Sequence, residues 1–260
     1  MSEITYELNP PKIVKGERFD FEQLRLDLQA IIDKASRLSS LADSIHMTDS
    51  VLGIPRVSGI TAAGYIRQEL PEARISCSLR TRDRNFSALS QSVADAIFCG
   101  VERLLILLGD EPQDSPGNCG IKPSAAVRMF RKEGYDSNMR LDLSFPAKIL
   151  KKDAPAIQSK LDASPDSIVT QSIASLEDLG EIVDLAKGRG IEVSACIMVP
   201  CEKNRLSASI IGLDWSAYEK DPVDFVKQAA KIADRVLLTS PNSFADGLDL
   251  LSTLCQENRH

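Results

Sequence analysis

Arg103-Leu104-Leu105-Ile106-Leu107-Leu108, followed at once by Gly109-Asp110, is a nearly unbroken apolar run closed by a turn signal. A run this short and this apolar predicts a strand covered on both faces, as in parallel sheets. Beyond the turn, Lys122–Lys132 spaces its apolar residues as a helix does. The same strand-then-helix unit repeats outward in both directions. Further β-type runs lie at Ile4–Asn9, Ser44–Met47, Ile75–Leu79, Met139–Leu143, Ser167–Gln171, Glu192–Val199 and Arg235–Thr239. Helical segments follow them at Phe21–Leu38, Ser58–Leu70, Asn85–Cys99, Lys151–Leu161, Leu176–Gly188, Val223–Ala233 and Phe244–Leu254, with a polar stretch ahead of the helix at Val223. Eight such units close a parallel barrel. An open doubly wound sheet normally has fewer strands, and no GxGxxG follows the first run. The predicted fold is α/β: a (β/α)8 TIM barrel forming one domain over residues 1–260, with no linker or low-complexity segment to divide it.

Composition narrows the partners. The 260 residues are 43% hydrophobic and 26% charged, with a net charge of −6, so a core can form and a nucleic-acid backbone is a poor partner. Cysteines stand at 77, 99, 119, 196, 201 and 255, none in a CxxC, and the two histidines are His46 and His260. That pattern argues against a zinc cluster and for reduced thiols in the cytoplasm. The amino-terminal MSEITYELNPPK has no apolar signal-like core, and no run of about 18 apolar residues occurs, so neither secretion nor membrane insertion is expected.

The architecture also predicts where chemistry lies, because barrels of this kind build their sites from the carboxyl ends of the strands and the loops beyond. Those positions are Glu7–Asn9, Thr48–Asp49, Ser78–Asp83, Gly109–Asp110, Ser144–Phe145, Thr170–Gln171, Pro200 and Ser240–Asn242. Carboxyl, hydroxyl and amide side chains dominate them, although the strands leading in are apolar.

Four of these segments resemble the methylenetetrahydrofolate reductase family, in that family's order and spacing, over residues 4–200. They are Tyr6-Glu7-Leu8-Asn9-Pro10-Pro11, Ser78-Leu79-Arg80-Thr81-Arg82-Asp83-Arg84-Asn85, Leu107-Leu108-Gly109-Asp110-Glu111-Pro112, and Lys160-Leu161-Asp162-Ala163 with Ile168-Val169-Thr170-Gln171. The resemblance implies a barrel oxidoreductase of one-carbon metabolism that reduces a methylene-tetrahydropterin, such as methylenetetrahydrofolate, to its methyl form. It implies FAD as cofactor and NADH or NADPH as electron donor. It makes Glu7 the general acid that opens the methylene bridge and Asp110 the carboxylate that stabilises the resulting iminium. Gln171 and Asn242 are the expected substrate contacts, and Thr48, Ser78, Gly109, Asp153 and Lys160 the expected cofactor contacts; no metal is implied. The pattern departs from the family at Leu108, where an Arg is usual, and at Ser78, where a His is usual. Two alternatives accompany this reading: a pterin-dependent methyltransferase barrel, and a non-catalytic subunit of a one-carbon enzyme complex. Assembly into a homo-oligomer is compatible with all three.

Overall fold

The computed structural model describes residues 2–14, 18–111 and 120–257. Pro112, Cys119 and His260 lie outside them. Eight parallel strands form a closed barrel in chain order: β1 (Glu3–Leu8), β2 (Ser44–Met47), β3 (Ile75–Arg80), β4 (Arg103–Leu107), β5 (Arg140–Phe145), β6 (Ser167–Thr170), β7 (Glu192–Met198) and β8 (Arg235–Thr239). The fold is the expected (β/α)8 barrel. The helices are α1 (Phe21–Leu38), α2 (Gly59–Glu69), α3 (Phe86–Phe98), α4 (Pro123–Lys132), α5 (Ala154–Leu161), α6 (Leu176–Lys187), α7 (Arg205–Ile210), α8 (Pro222–Ile232) and α9 (Phe244–Glu257).

Turn chemistry starts these helices where the sequence says it should. Asp20, Ser58, Asn85, Ser175 and Asp221 each accept a backbone N–H of the first turn that follows, filling donors the helix itself cannot satisfy. Two local differences from the sequence reading appear. β4 stops at Leu107, leaving Leu108 partly exposed, and the polar stretch after β7 contains the short helix α7. Among the described residues no helix is long and apolar enough to cross a membrane.

The chain divides into two compact units. Met1–Glu7, Ser40–Asp43 and Ser144–His260 form the first; Leu8–Ser39 and Ser44–Leu143 form the second. In the first, β6, β7, β8 and β1 pair in sequence, with Val169 opposite Ser194, Ala195 opposite Val236, and Tyr6 opposite Leu238. Strand side chains alternate between faces. Ile4, Tyr6, Ile168, Val193, Ala195, Ile197, Val236 and Leu238 occupy the helix-covered face, all buried. The inner face is more polar than the bulky branched filling such barrels usually carry. Arg235 donates to Ser167 Oγ at 2.7 Å and lies 3.5 Å from Glu192.

In the second unit β2, β3, β4 and β5 pair the same way, and the inner face again carries polar groups. His46 bridges Ser76 and Ser78, each hydroxyl 2.8 Å from one ring nitrogen. Burial lowers its pKa to about 4, so the ring is neutral at physiological pH. Arg103 grips Asp142 through two nitrogens, at 2.9 and 2.7 Å.

Candidate active site at the strand ends

In the first unit the alternation of β1 places Glu7. Tyr6 packs edge-on against Phe244 of α9, ring centres 5.9 Å apart, so Glu7 takes the opposite, inner face. The β1–β8 register sets Glu7 beside Thr239, whose hydroxyl donates to Glu7 Oε1 at 2.6 Å. Burial raises the pKa of the Glu7 carboxyl above the ordinary carboxylate range, the Thr239 hydrogen bond opposing the shift in part. The residue still has partial access to solvent, so a proton can come and go. Cys196, on the inner face of β7, is its neighbour. Burial, and then the nearby Glu7 charge, push the thiol up to about 12, which makes it a small neutral side chain rather than a nucleophile.

Gln171 follows β6 directly. Its backbone N–H donates to the Phe145 carbonyl at 2.8 Å, while its side chain is exposed and has no hydrogen-bond partner among the described residues. Lys160, in the last turn of α5, reaches the end of β5, where Nζ donates to the Ser144 carbonyl and lies 3.5 Å from Ser144 Oγ. Burial lowers its pKa to about 8. Asp153 stands in a short 3-10 turn before α5 and makes no capping bond there. Asn242 is braced from two sides: its N–H donates to Asn204 Oδ1 at 3.1 Å, and its amide donates to Ser207 Oγ at 2.7 Å.

Asp110 belongs to the second unit. It is exposed, and Oδ2 accepts the Leu52 N–H at 2.6 Å. Leu52 and Ser50 sit at φ 59° and 47°, a left-handed backbone that side-chain-bearing residues resist. Asp110 therefore pins a strained turn. Gly109 has φ +84°, and a Cβ there would stand 2.8 Å from Arg80 Cβ, so packing alone demands glycine. Ser78 is engaged by His46, and Thr48 Oγ1 donates to Asn9 Oδ1 at 2.7 Å.

In the first unit Glu7 stands near the carboxyl end of β1, Gln171 follows β6, Lys160 reaches from α5 to the end of β5, and Asn242 lies in the loop after β8. Sequence reading passed over Thr239, Cys196 and Asn204. Thr239 was within reach, because a hydroxyl closing an otherwise apolar strand, two residues beyond Leu237, must share its inner face. Asn204 was not. It is fully buried, donating to the Val199 carbonyl and to Ser240 Oγ at 2.9 Å each, and nothing in a polar stretch marks one amide as internal.

These features define a (β/α)8 barrel with an enclosed carboxyl at the mouth-side end of its first strand. No protein-family model matches the chain, and no curated protein does. Solved structures do. "QR15, an Aldolase" is 12% identical, covering 99% of this chain and 96% of its own, with a TM-score of 0.61. Deoxyribose phosphate aldolase from Aeropyrum pernix is 12% identical, covering 97% and 90%, with a TM-score of 0.55. 3-Keto-L-gulonate-6-phosphate decarboxylase from Vibrio cholerae is 13% identical, covering 99% and 98%, with a TM-score of 0.56. At such identities the likeness shows the fold.

The methylenetetrahydrofolate reductase resemblance is corrected by these comparisons. The similar structures compared bear aldolase, decarboxylase and synthase names rather than that reductase family's. With the family go the oxidoreductase class, the FAD and NADH or NADPH expectations, and the pterin or folate substrate. The structure supplies a physical reason for the false match. Gly109 is fixed by contact with Arg80 and Asp110 accepts the Leu52 N–H, while Thr48 and Ser78 bond to Asn9 and His46. Barrel construction gives these four residues tasks that need no flavin.

Proposed function

We propose that this chain is a non-redox enzyme that makes or breaks a carbon–carbon bond beside a carbonyl group, with Glu7 as the proton-transferring group. One observation carries the reading: an enclosed carboxyl, biased toward its protonated form, on the inner face at the carboxyl end of β1. A carboxyl held this way gives a proton at one step and takes it back at another near neutral pH. Cleavage beside a carbonyl needs both, since a hydroxyl proton must leave and the resulting enolate carbon must be reprotonated. Thr239 occupies Oε1 and so leaves Oε2 to face substrate. Gln171, whose side chain has no partner among the described residues, offers a donor and an acceptor to substrate carbonyl and hydroxyl groups, and Asn242, braced by Asn204, is a second contact. The aldolase and decarboxylase names of similar barrels support a small hydroxycarbonyl substrate.

A cytoplasmic homo-oligomer belongs to the same proposal. Support comes from the five free cysteines among the described residues, from the tetramer named for the Aeropyrum pernix aldolase, and from the exposed Leu206, Ile210 and Ile211 around α7.

The test is proton exchange. Purified protein in deuterated water is given a panel of hydroxyaldehydes, ketoses and their phosphate esters, and loss of the proton beside the carbonyl is followed by NMR. Wild type is expected to exchange at least one of them. Glu7→Gln should slow that exchange by on the order of 10²–10⁴-fold, the usual worth of a general acid or base. Equal rates in the two proteins would assign Glu7 to barrel packing.

A further inference from the structure

Lys160 is an unusual lysine. Its Nζ donates to the Ser144 carbonyl, with Ser144 Oγ at 3.5 Å, and among the described residues no carboxylate pairs with it. Buried ammonium groups ordinarily need such a partner. Both oxygens that hold Lys160 are neutral, so they orient the amine without stabilising its charge as an ion pair would. The next residue of β5, Phe145, accepts the backbone N–H of Gln171 at 2.8 Å, which brings the end of β6 alongside. An oriented amine and an unpartnered amide therefore share adjoining strand ends, the part of a barrel where substrates sit.

We propose that the Lys160 amine, seated on the Ser144 carbonyl beside Gln171, is a nucleophile that takes a small aldehyde or ketone as an iminium; this rests on the carbonyl-chemistry reading above. In the step, neutral Nζ bonds to the carbonyl carbon and the C=O π pair moves to oxygen. Proton transfer from nitrogen to oxygen gives the neutral carbinolamine; a second proton, taken from solvent, lets its hydroxyl leave as water, so that the nitrogen lone pair forms C=N⁺–H with no net oxidation or reduction. The Ser144 carbonyl that held the free amine can accept the remaining N–H, so the product keeps the same anchor. Ser144 Oγ stands where a hydroxyl can pass the proton. The Gln171 amide is placed to hold a polar group of the incoming carbonyl compound. Burial lowers the Lys160 pKa to about 8, which supplies neutral amine at physiological pH.

Reductive trapping tests this on the whole wild-type protein. Dihydroxyacetone and pyruvate are the probes, with cyanoborohydride to reduce any iminium and peptide mass mapping to find it. An ordinary exposed lysine titrates near ~10.4, so near pH 7.5 Lys160 should hold on the order of 10² times more neutral amine. Its adduct is expected to form faster by about that factor than those on exposed Lys151 and Lys152, with a rate rising through about pH 8. Lys160→Arg should remove this adduct and leave the other two. If that variant fails to fold, the wild-type map alone decides. Labelling of Lys160 no faster than of Lys151, or none at all, overturns the proposal. The two readings separate cleanly. Glu7-dependent proton exchange without a Lys160 adduct removes the amine and keeps the acid, whereas a Lys160 adduct with Glu7-independent exchange does the reverse.

Discussion

Glu7→Gln is expected to stabilise the folded protein as pH rises, while it costs activity. The Glu7 carboxyl is pushed above the ordinary carboxylate range by burial, the Thr239 bond opposing in part. In the unfolded chain a Glu titrates near ~4.3. Below that value both states are protonated, and the contribution of the neutral carboxyl is fully present. Between it and the raised folded pKa, the folded protein keeps a proton that the unfolded chain has lost, so stability falls with rising pH. Above the folded pKa the penalty is complete and constant. Gln never ionises, and its carbonyl oxygen can still accept the Thr239 hydroxyl, so the variant escapes the penalty. Each pKa unit of elevation corresponds to about 1.36 kcal/mol, and for a chain of this size about 1 kcal/mol moves Tm by roughly 2–4 °C. Thermal unfolding of both proteins from about pH 4 to pH 8 measures it. The Tm difference, variant minus wild type, should grow steadily through the window and then level. A difference that is flat, or that shrinks as pH rises, would mean the ionised carboxylate is welcome in the folded state, and the acid–base argument would lose its foundation.

Two further substitutions probe the frame of the barrel. Gly247→Ala on α9 would place its Cβ 1.9 Å from the Tyr6 hydroxyl oxygen, and Tyr6 is a fully buried ring that cannot swing aside. Where an exposed helix gains up to about 1 kcal/mol from this change, here overpacking should cost about 1–3 kcal/mol; adding Tyr6→Phe should recover part of the lost Tm, and a stabilised single variant would contradict the packing. Asp110→Ala should free the turn at Ser50–Gly53. A hydrogen bond to a charged group is worth about 1.5–3 kcal/mol, toward the low end at an exposed site, so amide exchange at Leu52 should quicken by about tenfold or more. Unchanged protection there would show that the turn holds itself.

How far the sequence could be read follows from which interactions are local. Arg103–Leu107 and Arg235–Thr239 are legible because a strand buried on both faces needs an apolar run, and the run needs no partner to be recognised. The helix starts are legible because a cap is a short-range bond between a Ser, Asp or Asn and an amide two or three residues on. Counting such units is enough to close a barrel. Glu7 could be placed at a strand end for the same reason, but its neighbours Thr239 and Cys196 lie on the strands that complete the first unit, more than 180 residues away in sequence. Asp110 shows what a strand end read alone leaves out. A Gly-Asp turn after a strand looks like chemistry when read alone, yet its oxygen is committed to Leu52, a contact no spacing rule reaches. The same holds for Ser78 and His46, joined only when β2 and β3 pair. Strand-end motifs in a barrel are constrained twice, once by the turn each strand must make and once by whatever chemistry the mouth performs. The first constraint alone produces Gly-Asp pairs, hydroxyls and amides at regular spacing. A resemblance built from such segments therefore tracks the fold more closely than the reaction. Under the proposed chemistry the better pointer to the reaction is a side chain without a structural partner, and among the described residues the Gln171 amide, and the Lys160 amine anchored without a carboxylate, are such groups.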